Sequence, residues 1–143
     1  MIVQIATLCD SASDYNGKLC MLGAFDTLCS RQFPVNHPSC ALVIRLMFSP
    51  GDAGRHSFRV SCKDNAGNEV LKPLPLEPPL EVVFPGSFVP FVTRNIILNL
   101  QNIRFEKPGL VTWQLEKDGK VITSIPLRVT LFDDSRSATG PAG

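Results

Sequence analysis

Charge of one sign is what this 143-residue chain most lacks: 14 Lys and Arg stand against 13 Asp and Glu, leaving a formal net charge of +1. Nucleic acid and acidic membranes are held by an excess of cations, so neither is expected as a partner of the whole surface. Histidine occurs twice and tryptophan once, which leaves few groups for general acid–base chemistry or for an aromatic sugar platform. Long apolar runs are missing too. None approaches the ~20 residues that cross a bilayer. No P-loop or dinucleotide glycine fingerprint occurs, so no cofactor is implied. The opening Met1-Ile2-Val3-Gln4-Ile5 has neither the basic stretch nor the apolar core of a signal peptide and reads as a strand, giving a cytoplasmic expectation.

What is present is apolar matter cut into short lengths. Hydrophobic residues make up 44% and charged residues 19%, enough for a packed core and against global disorder. Twelve prolines and ten glycines fall between the apolar runs, which is the punctuation of an all-β chain. Strands are expected at Ile2 to Cys9, Leu19 to Phe25 and Cys40 to Phe48, with Asp10 to Lys18 as a turn closing at Asn16-Gly17. Cys40 to Phe48 is apolar on both faces but for Arg45, so it belongs in the middle of its sheet. His56, Phe58, Val60 and Cys62 alternate with Ser57, Arg59, Ser61 and Lys63, as in a half-buried strand. Asp64-Asn65-Ala66-Gly67 then turns into a short strand near Glu69 to Leu71.

Pro73, Pro75, Pro78, Pro79, Pro85 and Pro90 exclude a central strand between Lys72 and Pro90, because each proline removes a ladder donor. Leu80 to Phe84 is expected there as an edge strand. Asn95 to Phe105 reads as a strand whose inward parity changes between Leu100 and Ile103, implying a β-bulge at Gln101-Asn102. The final hairpin runs from Leu110 to Lys117 and from Val121 to Phe132. A two-residue loop at Asp118-Gly119 would turn its second apolar series outward. A slip of one, pairing Leu115 with Val121 and Trp113 with Thr123, is therefore expected, with a three-residue loop and a left-handed Gly119. The tail from Asp133 to Gly143 has no large apolar residue and reads as a flexible extension of a single domain over 1–132.

A set of segments resembles a known family. They are the opening ten residues, Asn16-Gly17-Lys18-Leu19, Leu22-Gly23-Ala24-Phe25-Asp26, Phe33-Pro34 with His37-Pro38, Gly54-x-His56, and Arg104-Phe105-Glu106-Lys107-Pro108-Gly109. Together they resemble a family of small bacterial proteins known only as a domain of unknown function, over residues 1 to about 131. The resemblance implies one β-sandwich and brings no activity, cofactor or catalytic residue.

Five cysteines (Cys9, Cys20, Cys29, Cys40, Cys62) are an odd number, read as reduced thiols, mostly small buried groups. Cys29, His37 and Cys40 lie close in sequence, but only His37-x-x-Cys40 has a zinc-ligand spacing, and a turn histidine beside a core cysteine explains it as well. Cys40 with His37, or Cys9 with His56, would be the available dyads, without a nucleophile elbow or oxyanion loop. Single aspartates in the turns are capping residues before they are calcium ligands.

The expected architecture is a two-sheet antiparallel β-sandwich of eight or nine strands, Ig-like or C2-like in layering. Its expected role is non-enzymatic: an interaction or assembly module whose partner is itself or another protein. A small ligand such as a sugar or lipid headgroup remains the alternative, with a Cys/His hydrolase behind it. The candidate surface is the proline-flanked Phe84, Phe88, Val89 and Phe91, with Arg55, Arg59 and Lys63 as a cationic stripe. Two exposed phenylalanines would make a docking patch, whereas buried ones would plug the end of the sandwich.

Overall fold

A computed structural model describes residues 1–132; the tail from Asp133 onward lies outside the described residues. Among the described residues there are eleven strands: β1 (Ile2–Tyr15), β2 (Lys18–Phe25), β3 (Thr27–Ser30), β4 (Val35–Phe48), β5 (Gly54–His56), β6 (Arg59–Asp64), β7 (Glu69–Pro75), β8 (Leu80–Val82), β9 (Val92–Phe105), β10 (Gly109–Lys117) and β11 (Lys120–Leu131). They form a four-stranded sheet ordered β2-β1-β4-β9, a five-stranded sheet ordered β3-β11-β10-β6-β7, and a two-stranded ribbon of β5 and β8. The chain is all-β, and the two larger sheets enclose the core as a sandwich. Among the described residues no helix is long and apolar enough to cross a membrane.

Parity explains the layers. The even residues of β4 from Cys40 to Phe48 face the core with Leu8, and Val111, Trp113, Leu115, Ile125, Leu127 and Val129 meet them from the other sheet. Full burial of each such aliphatic side chain stabilises by roughly 1.5–3 kcal/mol. β4 lies between β1 and β9, as its two apolar faces require. β7 holds Pro73 and Pro75 because it is an edge, where a missing donor breaks no ladder on the free side.

Several expectations are corrected. β1 does not stop at Cys9 but runs to Tyr15, and the turn shrinks to Asn16-Gly17, both with positive φ (51° and 84°). β3 carries no strong apolar pattern; it follows β2 after Asp26 alone and pairs in parallel with β11, so the second sheet is not wholly antiparallel. Pro38 sits inside β4, so His37 is a strand residue. The strand expected through His56 and Cys62 is two: β5 pairs with β8, and β6 pairs with β10 and β7.

The bulge expected at Gln101-Asn102 is absent, because β4 and β9 keep one register from Val35↔Phe105 to Phe48↔Val92. The parity change is nevertheless present in both strands: Val35 and Cys40, and likewise Leu100 and Ile103, all face the same core. Asn102, with φ of 52°, takes the turn on β9 at the level where β4 carries Pro38. In the last hairpin Gly119 is left-handed (φ 76°), but so is Asp118 (52°), giving a two-residue loop. The slip runs the other way: Glu116 pairs with Val121 and Leu115 with Thr123, leaving Ile122 as the extra residue. Ile125, Leu127 and Val129 are thereby buried, while Val121 and Leu131 stay outside.

Candidate interaction surface

Val82 ends β8 as a buried residue and Val92 begins β9, and the intervening loop contains Pro85 and Pro90. Neither proline can donate to a ladder, so the segment leaves the sheets instead of joining an edge. A weak turn, Val89 N–H to the Gly86 carbonyl at 3.4 Å, is its own backbone bond. The two readings of the phenylalanines divide between them. Phe84 packs against the main core as the plug. Phe88 is 97% exposed, Phe91 51% and Val83 64%, with Val89 half-buried between them. Isolated exposed apolar residues are ordinary, but three large ones on one short loop are more than scatter, and apolar surface gathered in this way marks contact sites.

The cationic stripe does not survive as one face. Its cause is the break between β5 and β6, which places Arg55 on the ribbon and Arg59 with Lys63 on the five-stranded sheet. Arg55 Nε donates to Glu81 Oε1 at 2.9 Å on the neighbouring strand. Arg59 donates to Glu116 Oε2 through Nε at 3.3 Å and Nη2 at 3.1 Å, and Ser61 Oγ donates to Oε1 at 3.1 Å. Burial pushes the Glu116 carboxyl up, but the hydrogen bonds from Arg59 and Ser61 and the nearby cations outweigh it and hold it below the usual range. Both arginines are thus neutralised by carboxylates of the same molecule.

Histidines and thiols are dispersed. His37 lies against the Phe25 ring at 5.9 Å between centroids, and its Nε2 is buried without a hydrogen-bond partner. His56 stacks near Phe58, and its Nε2 bonds the Asp52 carbonyl at 2.6 Å. The Cys9 thiol faces the Ser11 carbonyl at 3.4 Å. Burial raises the pKa of Cys9, that of Cys40 to about 11 and that of Cys62 to about 12, so these sulfurs stay protonated and weak as nucleophiles. Cys20 and Cys29 are exposed. Among the described residues no three His, Cys, Asp or Glu side chains converge on a point that could hold a metal ion.

The surface also carries two hollows, neither lined by this loop. The run Arg104 to Val111 lines a cleft of about 670 Å³ together with the Asp64–Ala66 turn and Glu69–Leu71 of β7. Its charged rim is partly self-satisfied, since Arg104 Nε donates to Glu106 Oε1 at 2.7 Å. A shallower groove of about 390 Å³ runs between Leu74–Pro78 and Ile96–Leu98. Sequence reasoning missed the cleft because its walls come from two distant turns.

Fold and surface together define a β-sandwich that presents an aromatic loop. Residues 4–130 match DUF6941, a family of unknown function, and the chain belongs to that family. No curated protein matches it.

Proposed function

We propose that this chain is a non-enzymatic assembly module that associates with a second copy of itself through the Phe88 loop. The supporting observation is the near-complete exposure of Phe88 on the same loop as exposed Val83 and Phe91. Transfer of such rings from water is favourable, and exposed aromatic anchors dominate the energetics of protein contacts. The raised thiol pKa values and the dispersal of both histidines speak against the hydrolase alternative. Sedimentation over a range of concentrations tests the reading. The wild-type mass should rise with concentration, and Phe88→Ser/Phe91→Ser should show a clearly smaller rise with an unchanged melting temperature. A wild type that stays monomeric throughout would overturn it.

The cleft beside Arg104 favours a second reading, a small-ligand site, since about 670 Å³ lies within the range of ligand sites. Trp113 is buried and offers no sugar platform, which leaves a lipid headgroup as the better occupant. A soluble zwitterionic headgroup should then raise the melting temperature of the wild type but not of Ala66→Arg, which fills the cleft from an exposed turn.

A further inference from the structure

The β1–β2 hairpin belongs to the four-stranded sheet for only half its length. β1 lies beside β4 from Ile2 to Cys9, and from Ser11 to Tyr15 its ladder partner is β2 alone. β4 meanwhile continues with β9. The hairpin therefore leaves the sheet at Asp10, and it does not project into solvent. Its tip comes back over the outer face, where Arg45 Nη1 donates to the Gly17 carbonyl at 3.0 Å. Asn95 Nδ2 donates to Asp14 Oδ2 at 2.9 Å and to the Gly17 carbonyl at 3.2 Å. Arg45 is level with Ile5 in the β1–β4 register, so the tip reaches it only by folding back across the strands it has left.

Beneath the folded arm lies a second, smaller core. Ala12, Leu19 and Met21 of the arm pack with Ile97 around Cys9, Ala41 and Val43, which are sealed from water on the face opposite the main core. The bend is built at Asp10 and Gly23, which face each other in an unbroken register. Gly23 has φ of +68°, and a β-carbon there would lie 2.5 Å from Asp10 Oδ2. Below the bend, among the described residues, no strand pairing joins the arm to its seat. Side-chain packing and the Arg45–Asn95 latch hold it.

We propose that the arm is an exchangeable hairpin: it swings out about Asp10 and Gly23, and the apolar strip of Cys9, Ala41, Val43 and Ile97 is then occupied by the arm of a second copy. The occupant follows from the seat, which is already shaped and hydrogen-bonded for this chain's own residues 12–21. Exchange re-forms the same contacts in trans and changes only the hinge, the usual low-cost route to a swapped dimer. The molecule's own arm competes at an effective concentration on the order of millimolar, so exchange rises with protein concentration. The inference rests on the assembly reading but not on the Phe88 loop.

The test uses a background in which exposed Cys20 and Cys29 are serine. Chains carrying Asp14→Cys are mixed with chains carrying Asn95→Cys, oxidised and run without reductant. A covalent pair should form at a rate that rises with concentration, and Asp14→Cys should not pair with a control chain carrying exposed Ser57→Cys. Equal pairing with both would overturn the exchange. Wild-type thiol labelling gives a second readout that needs no substitution: Cys9 under the arm should label at least about tenfold faster than Cys62 in the main core, because a sub-global opening exposes it. Labelling of Cys9 in step with Cys62 would mean that the arm never leaves, and would also overturn it. With Phe88→Ser/Phe91→Ser in the same background, a persisting cross-link beside a wild type that shows no loop-dependent mass would sink the loop reading alone.

Discussion

Glu116 shows how one carboxylate fixes the character of the five-stranded sheet's outer face. Its Oε1 accepts from Ser61, which is buried, and its Oε2 from Arg59. Together these bonds hold its pKa below the ordinary 4.5 despite burial. A carboxyl whose folded pKa is depressed binds protons less readily in the native state. Its contribution to stability is therefore complete above the ordinary value and is lost as pH falls through the lowered one. Glu116→Gln removes that titration. Urea midpoints measured from about pH 6 to about pH 3 should fall more steeply for wild type than for Glu116→Gln, if this group carries the linkage assigned to it. Parallel slopes would show that the Arg59–Glu116 pair is a surface contact of no energetic consequence, as many such pairs are.

At the scale of the element, β4 and β9 are fourteen residues each and change inward parity together without losing register. The residue that permits this is Asn102, whose left-handed φ of 52° is tolerated by Asn and by Gly but not by a β-branched side chain. Asn102→Gly should melt near wild type, whereas Asn102→Val should lose about 1–2 kcal/mol in chemical denaturation, the cost of a left-handed branched residue. The exposed Asn36 Nδ2 to Asn102 Oδ1 bond at 3.3 Å is lost in both variants, so the difference between them isolates the backbone cost.

The same strand shows what the sequence made legible. The alternation of Ile96, Leu98 and Leu100 and the later inward Ile103 are readable from residue type, so the strand and its parity change could be expected. The device behind the change could not, because a bulge on one strand and a paired distortion on two leave the same pattern in β9. The Asp118-Gly119 hairpin failed likewise: the burial of Ile125 and Leu127 demanded a slip, but two directions of slip satisfy it. The arm over Ala41 and Val43 was hidden for a different reason. A strand apolar on both faces announces that something covers it, and β1 with β2 was not readable as that cover while Asp10 to Tyr15 looked like turn. Of the candidate surface, the proline flanks left exposure and plugging equally open for Phe84, Phe88 and Phe91, and only the fold separates them; the break that splits Arg55 from Arg59 and Lys63 was not readable, since nothing local signals it at Ser57–Phe58.

Across the whole molecule, the electrostatics favour an apolar mode of association. The net charge is +1, and Arg55, Arg59 and Arg104 each have a carboxylate of their own chain within hydrogen-bond distance. A protein of so small a net charge has little long-range field with which to orient a partner. The proposed contact through Val83, Phe88 and Phe91 would depend instead on removing apolar surface from water, which salt screening does not touch. The dissociation constant from sedimentation should therefore change by less than about twofold as ionic strength rises through the physiological range. Sulfate, which strengthens apolar burial, should tighten the association. A stripe-mediated contact would behave in the opposite way, weakening with every added increment of salt and ignoring Phe88→Ser. Running the salt series on Arg59→Ala beside Phe88→Ser separates the two: only the phenylalanine variant should weaken the association, and weakening in the arginine variant with strong salt dependence would place the contact on the five-stranded sheet.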